Sequence, residues 1–473
     1  MRKTESTDPL NIRVTSARPD WAQKSLAILA KMPAISLLSQ DNIPASESID
    51  VVLHYGEYTE SLGEQFGYGR LGLWFFCFNH SDTNPITAAR AAAAKGLSLE
   101  ISLWTRFPDG RCECLYQSFG YLEPFAINRN VTRSLAKAAY FPARVLRHYQ
   151  KNGILKTYSA QDFSSTVSPL AARLAEVLAI GRKIIQKLFW KEQWFVIAGT
   201  GNTVVPDAAP TTEWQLKPPA DRFWADPFPA EWEGRQWVLV EELPFATMRG
   251  HLAAIELFAD GRHGDPQPFM TPESHLSYPF IFTWNDALYL IPESSAAEEV
   301  VLWKCEQFPL QWQKVTTLLS GVKAADTTLI DHANHWWMFT AIAEKNACIH
   351  DELLLYFADS PLGPWQAHPQ NPIKSDARNA RPAGNLFVSD GVLYRPAQDC
   401  DTEYGKATVI NRIDQLDTDV FAETPVARLD PGWRSDCTRT HTLSRFNNLW
   451  AVDGYRLLPR WAGWLNTQLK IES

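Results

Sequence analysis

Five in-register copies of one hairpin constrain this chain more than any other feature of its sequence. They read DPFPAEWEGRQWVLVEE from Asp226, YPFIFTWNDALYLIPES from Tyr278, DTTLIDHANHWWMFTAI from Asp326, AGNLFVSDGVLYRPAQD from Ala383 and THTLSRFNNLWAVDGYR from Thr440. Aligned on the turn residues Gly234, Asp286, Asn334, Gly391 and Asn448, every copy begins eight positions upstream. Gly, Asn and Asp tolerate the positive φ of a tight turn, and alternating apolar and aromatic positions on either side suit two paired strands. The starts at 226, 278, 326, 383 and 440 are spaced by 52, 48, 57 and 57 residues, close to the roughly 40–50 residues of a four-stranded propeller blade. A five-bladed, all-β propeller is therefore expected, since nothing in a β-sandwich demands that one hairpin recur in register.

The remaining length bounds the rest. At 473 residues there is room for two or three domains. A net charge of −8, with Lys and Arg spread along the chain, gives no basic footprint for nucleic acid. Of the seven cysteines only Cys112 and Cys114 stand close together, with no second pair to complete a zinc site, so a reducing compartment fits. The first thirty residues are charged before any apolar run, and no stretch reaches the ~20 apolar residues of a membrane span. A cytoplasmic location is the resulting expectation.

Ahead of the hairpins, 49–53, 71–78, 98–107 and 111–119 read as strands, the last two joined across Pro108-Asp109-Gly110. A helix ending at Gly96 and one or two helices interrupted near Pro142 alternate with them, which predicts an α/β domain over 1–150. Residues 151–191 read as a helical linker. Its segment 168–190 has apolar residues at helical spacing with Arg173, Arg182, Lys183 and Lys187, so it is either a connector or a helix that touches an anionic membrane. The propeller is assigned 192–473, with 192–199 a strand that closes the last blade.

Equivalent positions of different blades converge at a propeller's centre. The leading positions supply Asp226, Tyr278 and Asp326, with Arg381 just before the fourth copy and His441 just after the start of the fifth. Seven positions past the turn come Glu241, Glu293 and Gln398, with Arg395 nearby. Acids among Arg and His can hold carboxyls with separated pKa values, as glycosyl chemistry requires. Each also has a plainer role: Asp226 before Pro227 as a turn cap, Asp326 on its own Thr327 and Thr328 backbone, Glu293 as a solvated strand end. His332, His335 and His350 lack metal spacing, so no cofactor and no metal is assigned, and a structural cation on channel oxygens stays open.

Taken together, FWADPF, YPF, LIPES, ADTTL, WWMF, GPWQAHPQNPI, ARPAGN, RPAQD, YG and HTL make the stretch from Phe223 to His441 resemble a known domain. It is the propeller domain of plant glucosamine inositolphosphorylceramide transferases and bacterial relatives, itself similar in fold to family-43 glycoside hydrolases. In those hydrolases one Asp is the general base, a second tunes pKa and a Glu is the acid. The resemblance implies Asp226 as base, Asp326 as tuning residue and Glu293 as acid, although Glu293 precedes Asp326 where the hydrolases place their acid after the second Asp. In the plant proteins transfer is attributed to a separate glycosyltransferase domain. The N-terminal region resembles a formyltransferase-like domain, with Asn79-His80 as a partial match to its site. The expected function is a carbohydrate-active enzyme, transferase or hydrolase, with a carbohydrate or glycolipid substrate, working in surface polysaccharide or glycolipid metabolism from an acidic site in the propeller mouth. The alternatives are a non-catalytic glycan-binding or scaffolding propeller, or formyl or acyl transfer to a nucleotide sugar by the N-terminal domain.

Overall fold

The computed structural model describes residues 9–15, 20–38, 48–79, 84–159, 167–201, 205, 213–271 and 274–460. The chain divides into two compact units, Met1–Ile180 with Glu344–Cys348, and Gly181–Ala343 with Ile349–Ser473.

In the first unit the elements run β1 (Leu10–Thr15), α1 (Asp20–Leu29), β2 (Ile35–Leu38), β3 (Val51–His54), α2 (Leu62–Phe66), β4 (Leu73–Phe78), α3 (Pro85–Ala94), β5 (Leu99–Arg106), β6 (Cys112–Gly120), α4 (Ile127–Ala138) and α5 (Phe141–Asn152), and α6 (Pro169–Phe189) starts here. One sheet has the order β2-β1-β3-β4-β5-β6. Its first pairings are parallel, while β4, β5 and β6 pair antiparallel. Continuous apolar runs such as LWFFCF in β4 bury every residue, as expected of a strand covered on both faces. Asn84 caps α3 by accepting from the backbone N–H groups of Ile86 and Thr87, with Pro85 at the first position.

The second unit is a ring of five sheets. Four are built from consecutive strands, beginning at Arg222–Trp232, Ser277–Trp284, Ala324–His332 and Phe387–Ser389. The fifth pairs Leu443–Phe446 and Leu449–Pro459 with two strands from far upstream, Trp190–Thr200 and Glu213–Leu216. Both upstream strands complete the last blade, one more than the single closing strand read from 192–199.

The predicted turns take the geometry that their residues allow. Glu233-Gly234, Asn285-Asp286, Ala333-Asn334 and Asp390-Gly391 all have positive φ, so each hairpin closes on a two-residue turn matching strand twist. The fourth blade departs at its start: an isolated bridge between Pro382 and Ala397 stands just ahead of Ala383, and the first strand begins only at Phe387. Here Gly384 has φ 123°, and a Cβ would stand 2.1 Å from the Leu443 carbonyl oxygen, so the approach of the fifth blade's backbone admits only glycine.

The apolar core lies between neighbouring blades. Phe228, Leu239, Phe280, Leu290, Leu329 and Met338 join the first three, and Trp337, Leu353, Leu386 and Phe421 join the third to the fourth. Phe195, Ile197, Ile410 and Trp450 join the fourth to the fifth, while Val196, Trp214, Val238 and Ile255 join the fifth to the first. Trp237, Tyr289, Trp337 and Trp450 are all buried, so much of the aromatic content is core.

Candidate active site at the propeller centre

The first three blades begin on the same backbone device. Asp226, Tyr278 and Asp326 have φ of 50°, 46° and 52°. At each, two residues of the first strand oppose one of the second: pairing skips from Phe228–Leu239 to Ala225–Glu241, from Phe280–Ile291 to Ser277–Glu293, and from Thr328–Phe339 to Ala325–Ala341. Such a bulge re-aims one side chain out of the strand's alternation. For a residue with a Cβ the left-handed conformation costs about 1–2 kcal/mol, which the surrounding contacts must offset.

The re-aimed residues bind blade to blade. The Asp226 N–H donates to Asp453 Oδ2 at 3.3 Å, and the Tyr278 N–H donates to Asp226 Oδ2 at 3.2 Å. The Tyr278 hydroxyl lies 3.0 Å from Thr328 Oγ1 and accepts from the Gly384 N–H at 2.7 Å. Arg381 Nε and Gln398 Nε2 of the fourth blade donate to Asp326 Oδ2 at 2.5 and 2.7 Å. The Leu443 N–H donates to the Ala383 carbonyl at 2.7 Å and links the fourth blade to the fifth.

Within this seam two cations sit among the acids. His441 Nε2 is 3.2 Å from Asp226 Oδ1, and its Nδ1 is 2.6 Å from Asp453 Oδ2. Burial would strip the imidazole of its proton, but Asp453 and Asp226 outweigh that and hold its pKa at about 10. Burial would likewise raise the Asp226 carboxyl, yet His441 and the 2.8 Å hydrogen bond from Thr442 Oγ1 bring it below its ordinary value. Arg381 bridges Asp326 and Glu293, its Nη2 reaching Glu293 Oε2 at 3.4 Å, while its Nη1 donates to His350 Nδ1 at 2.8 Å.

Glu293 has the opposite protonation tendency to Asp226. Burial and the neighbouring Asp326, only partly countered by Arg381, push its pKa up to about 8. Its side chain is 12 % exposed against 2 % for Asp326, so of the two carboxyls on Arg381 it is the more open to a ligand. Glu241 is also driven well above its ordinary value, by burial and then by Asp226. Its Oε1 lies 3.3 Å from His275 Nε2, and since His275 Nδ1 accepts from the Gly250 N–H, the remaining ring proton faces that oxygen. A Cβ on Gly250 would stand 2.5 Å from Glu241 Oε1, so this glycine makes room for the carboxyl.

Asp226, Tyr278, Glu241, Glu293, Asp326, Arg381, Gln398 and His441 thus come together from all five blades. Arg395 does not join them. Its guanidinium is consumed in the fourth blade by Glu423, at 2.7 and 2.8 Å, and by the carbonyls of Asn379 and Ala380. Burial without an outlet makes it a fastening of that sheet rather than a ligand contact. In the first unit Asn79 is buried, donating to the Ala88 carbonyl and accepting from the Glu100 N–H, while His80 lies outside the described residues.

Sequence reasoning gives no site role to Asp453, Tyr404 and His275, and takes His350 only as a histidine that lacks metal spacing. Asp453 left a signal: five positions past the turn the other copies have Leu239, Ile291, Phe339 and Pro396, so an acid there breaks an apolar register. Tyr404 lies in a loop outside the repeat, where only the YG of the resemblance marks it; its ring is 5.2 Å from the Arg381 guanidinium and 5.1 Å from the His441 ring, and burial holds its hydroxyl protonated. Among the described residues, Asp226, His441 and Asp453 could offer ligand atoms within 4.8 Å of one another to a metal ion. Any such ion competes with the imidazolium already balancing both carboxylates.

Residues 204–432 match the family model described as "Glucosamine inositolphosphorylceramide transferase 1, N-terminal". The rice (Oryza sativa subsp. japonica) protein of that name is 34% identical over 212 residues, covering 43% of this chain and 28% of the rice protein. Its Arabidopsis thaliana counterpart is 32% identical over 212 residues, covering 43% of this chain and 27% of that protein. The chain therefore spans less than a third of either plant relative. Among solved structures, a thermostable family-43 glycoside hydrolase aligns at TM-score 0.33 and 15% identity, over 45% of this chain and 78% of that one. A GH43_1 enzyme from Xanthomonas citri aligns at TM-score 0.37 and 10% identity, over 55% of this chain and 90% of that one.

Proposed function

We propose that the propeller centre performs acid–base chemistry on a carbohydrate, with Glu293 as general acid and Asp226 as general base. The observation that carries this reading is the opposed protonation of two gathered carboxyls: Glu293 is raised to about 8 and so holds a proton at neutral pH, while Asp226 is lowered and has given its proton up. Asp326 acts as the positioning residue, fixing Arg381 and raising Glu293. Glu293 would protonate the departing glycosidic oxygen, and Asp226 would take the proton of an incoming water or sugar hydroxyl. The similarity to plant proteins named for glucosamine and inositolphosphorylceramide supports a glycan or glycolipid as the substrate class. The first unit is assigned no chemistry, because the Asn79 amide is taken up by backbone groups.

The test is turnover of a panel of glycans and glycolipids by the full chain. General acid–base groups contribute about 10²–10⁴ in rate, so Asp226→Asn and Glu293→Gln should each lower turnover by that order. Full activity in both variants overturns the assignment. One observation favours a second reading, a glycan-binding propeller without turnover: Asp226 and Asp326 already accept several hydrogen bonds each, as fixed binding groups do. Calorimetry showing glycan binding by the parent chain without turnover of any glycan in the panel would select it.

A further inference from the structure

Helix α6 covers its polar side and exposes its apolar one. Ala172, Ala175, Glu176, Ala179, Lys183 and Gln186 follow helical spacing and form the buried or half-buried row. Its polar members are engaged within their own units: Glu176 with Arg90 at 2.7 Å, Lys183 with Glu192 at 2.8 Å, and Gln186 with the Tyr455 hydroxyl at 3.3 Å. On the opposite side Leu170, Leu174, Val177, Ile184, Ile185 and Leu188 are between 52% and 81% exposed. At about 100° per residue these positions share one arc along the whole helix.

A surface helix normally turns such a stripe toward the core, and a contiguous apolar face left in water marks an interaction site. Its borders carry charge of one sign. Arg182 lies along one edge and Arg173 and Lys187 along the other, all exposed, in a chain whose net charge is −8. The helix has 21 residues, roughly 30 Å at 1.5 Å rise per residue. No helix among the described residues is long and apolar enough to cross a membrane. Pairing with the same helix of a second copy would set these basic edges against one another, whereas anionic headgroups neutralise both edges at once.

We propose that α6 lies in the plane of an anionic lipid bilayer, its leucine and isoleucine stripe among the acyl chains and Arg173, Arg182 and Lys187 at the headgroups. The proposal rests on the helix alone and not on the chemistry assigned to the propeller. Flotation of the full chain with vesicles tests it, using phosphatidylcholine alone and phosphatidylcholine with one part in about three of phosphatidylserine. Binding to the anionic vesicles is expected, weakening about fivefold for each base removed, so that R173Q/R182Q/K187Q loses on the order of 100-fold. L174S/I184S/L188S should lose binding to the anionic vesicles as well, although it keeps every base. All six side chains are exposed, so unchanged melting and circular dichroism establish that the variants fold, and the glutamine variant tests the proposal even if the serine variant does not. No flotation of the parent chain, or flotation indifferent to both variants, overturns the proposal. So does a dimer that the serine variant dissolves while the parent ignores vesicles, which would assign the stripe to a second copy.

Discussion

The first three blades and the last two share a hairpin, yet they furnish the centre in different ways. Blades one to three open on a left-handed residue whose side chain is Asp226, Tyr278 or Asp326. Blades four and five open on Ala383 and Thr440, with the fourth taking its bend at Gly384, and place Arg381 and His441 beside those acids. The repeat specifies a backbone, and the chemistry is written where copies depart from it. Neither group of blades makes a site alone: the acids without Arg381 and His441 would be unpaired charges in a buried place, which is among the costliest arrangements a protein can hold.

This division can be broken first at His441. Removing one member of a buried, hydrogen-bonded ion group costs about 3–5 kcal/mol, so His441→Ala should lower propeller stability by that amount in chemical denaturation. A loss below about 1 kcal/mol would mean that Asp226 and Asp453 do not depend on the fifth blade's cation. The same residue has a pH signature. Its folded pKa of about 10 exceeds the ordinary 6.5, so the proton is held more tightly in the folded state; the associated stability is complete below 6.5 and is lost as pH rises through about 10. Glu293 has the same sign, but its contribution is spent by about 8. Melting temperature should therefore fall between pH 8 and 10 in the parent, and His441→Gln should flatten that stretch.

A smaller effect probes the acids. With Glu293 as the proton donor, turnover should decline about tenfold per pH unit above about 8, and a profile flat to pH 10 would remove Glu293 from that role. The smallest effect sharpens the contrast between turn and centre. Ala333 has φ 51° at a turn position held by Glu233, Asn285, Asp390 and Asn447 in the other blades, so Ala333→Gly should gain about 0.5–1 kcal/mol by relieving strain, without altering turnover. The strain at Asp226 serves a side chain; the strain at Ala333 serves none that the structure shows.

The propeller was legible because its signal is periodic. Gly234, Asp286, Asn334 and Gly391 mark turns that only certain residues accept, and the eight-residue offset to Asp226, Tyr278 and Asp326 follows from the hairpin's register. What the register does not contain could not be read from it. Tyr404 and His350 reach the centre from loops, and the partner of Arg395, Glu423, lies two strands away in the same sheet. Nor did the residues of β1, α1 and β2 declare themselves, because six-, ten- and four-residue elements carry too few periods to stand out. The apolar spacing of α6 was plain, but whether that stripe faced inward or outward depends on its surroundings.

The last blade has a temporal consequence. Its strand Trp190–Thr200 is made early, and its partner Leu449–Pro459 follows on the order of 250 residues later. At roughly 5–20 residues per second a ribosome needs about 12–50 s to deliver that partner. Through this interval Phe195, Val196, Ile197 and Ala198, fully buried in the finished ring, have an unpaired edge in a nascent chain. The clasp that makes the circle durable is thus also the segment with the longest opportunity to pair with the wrong neighbour during birth.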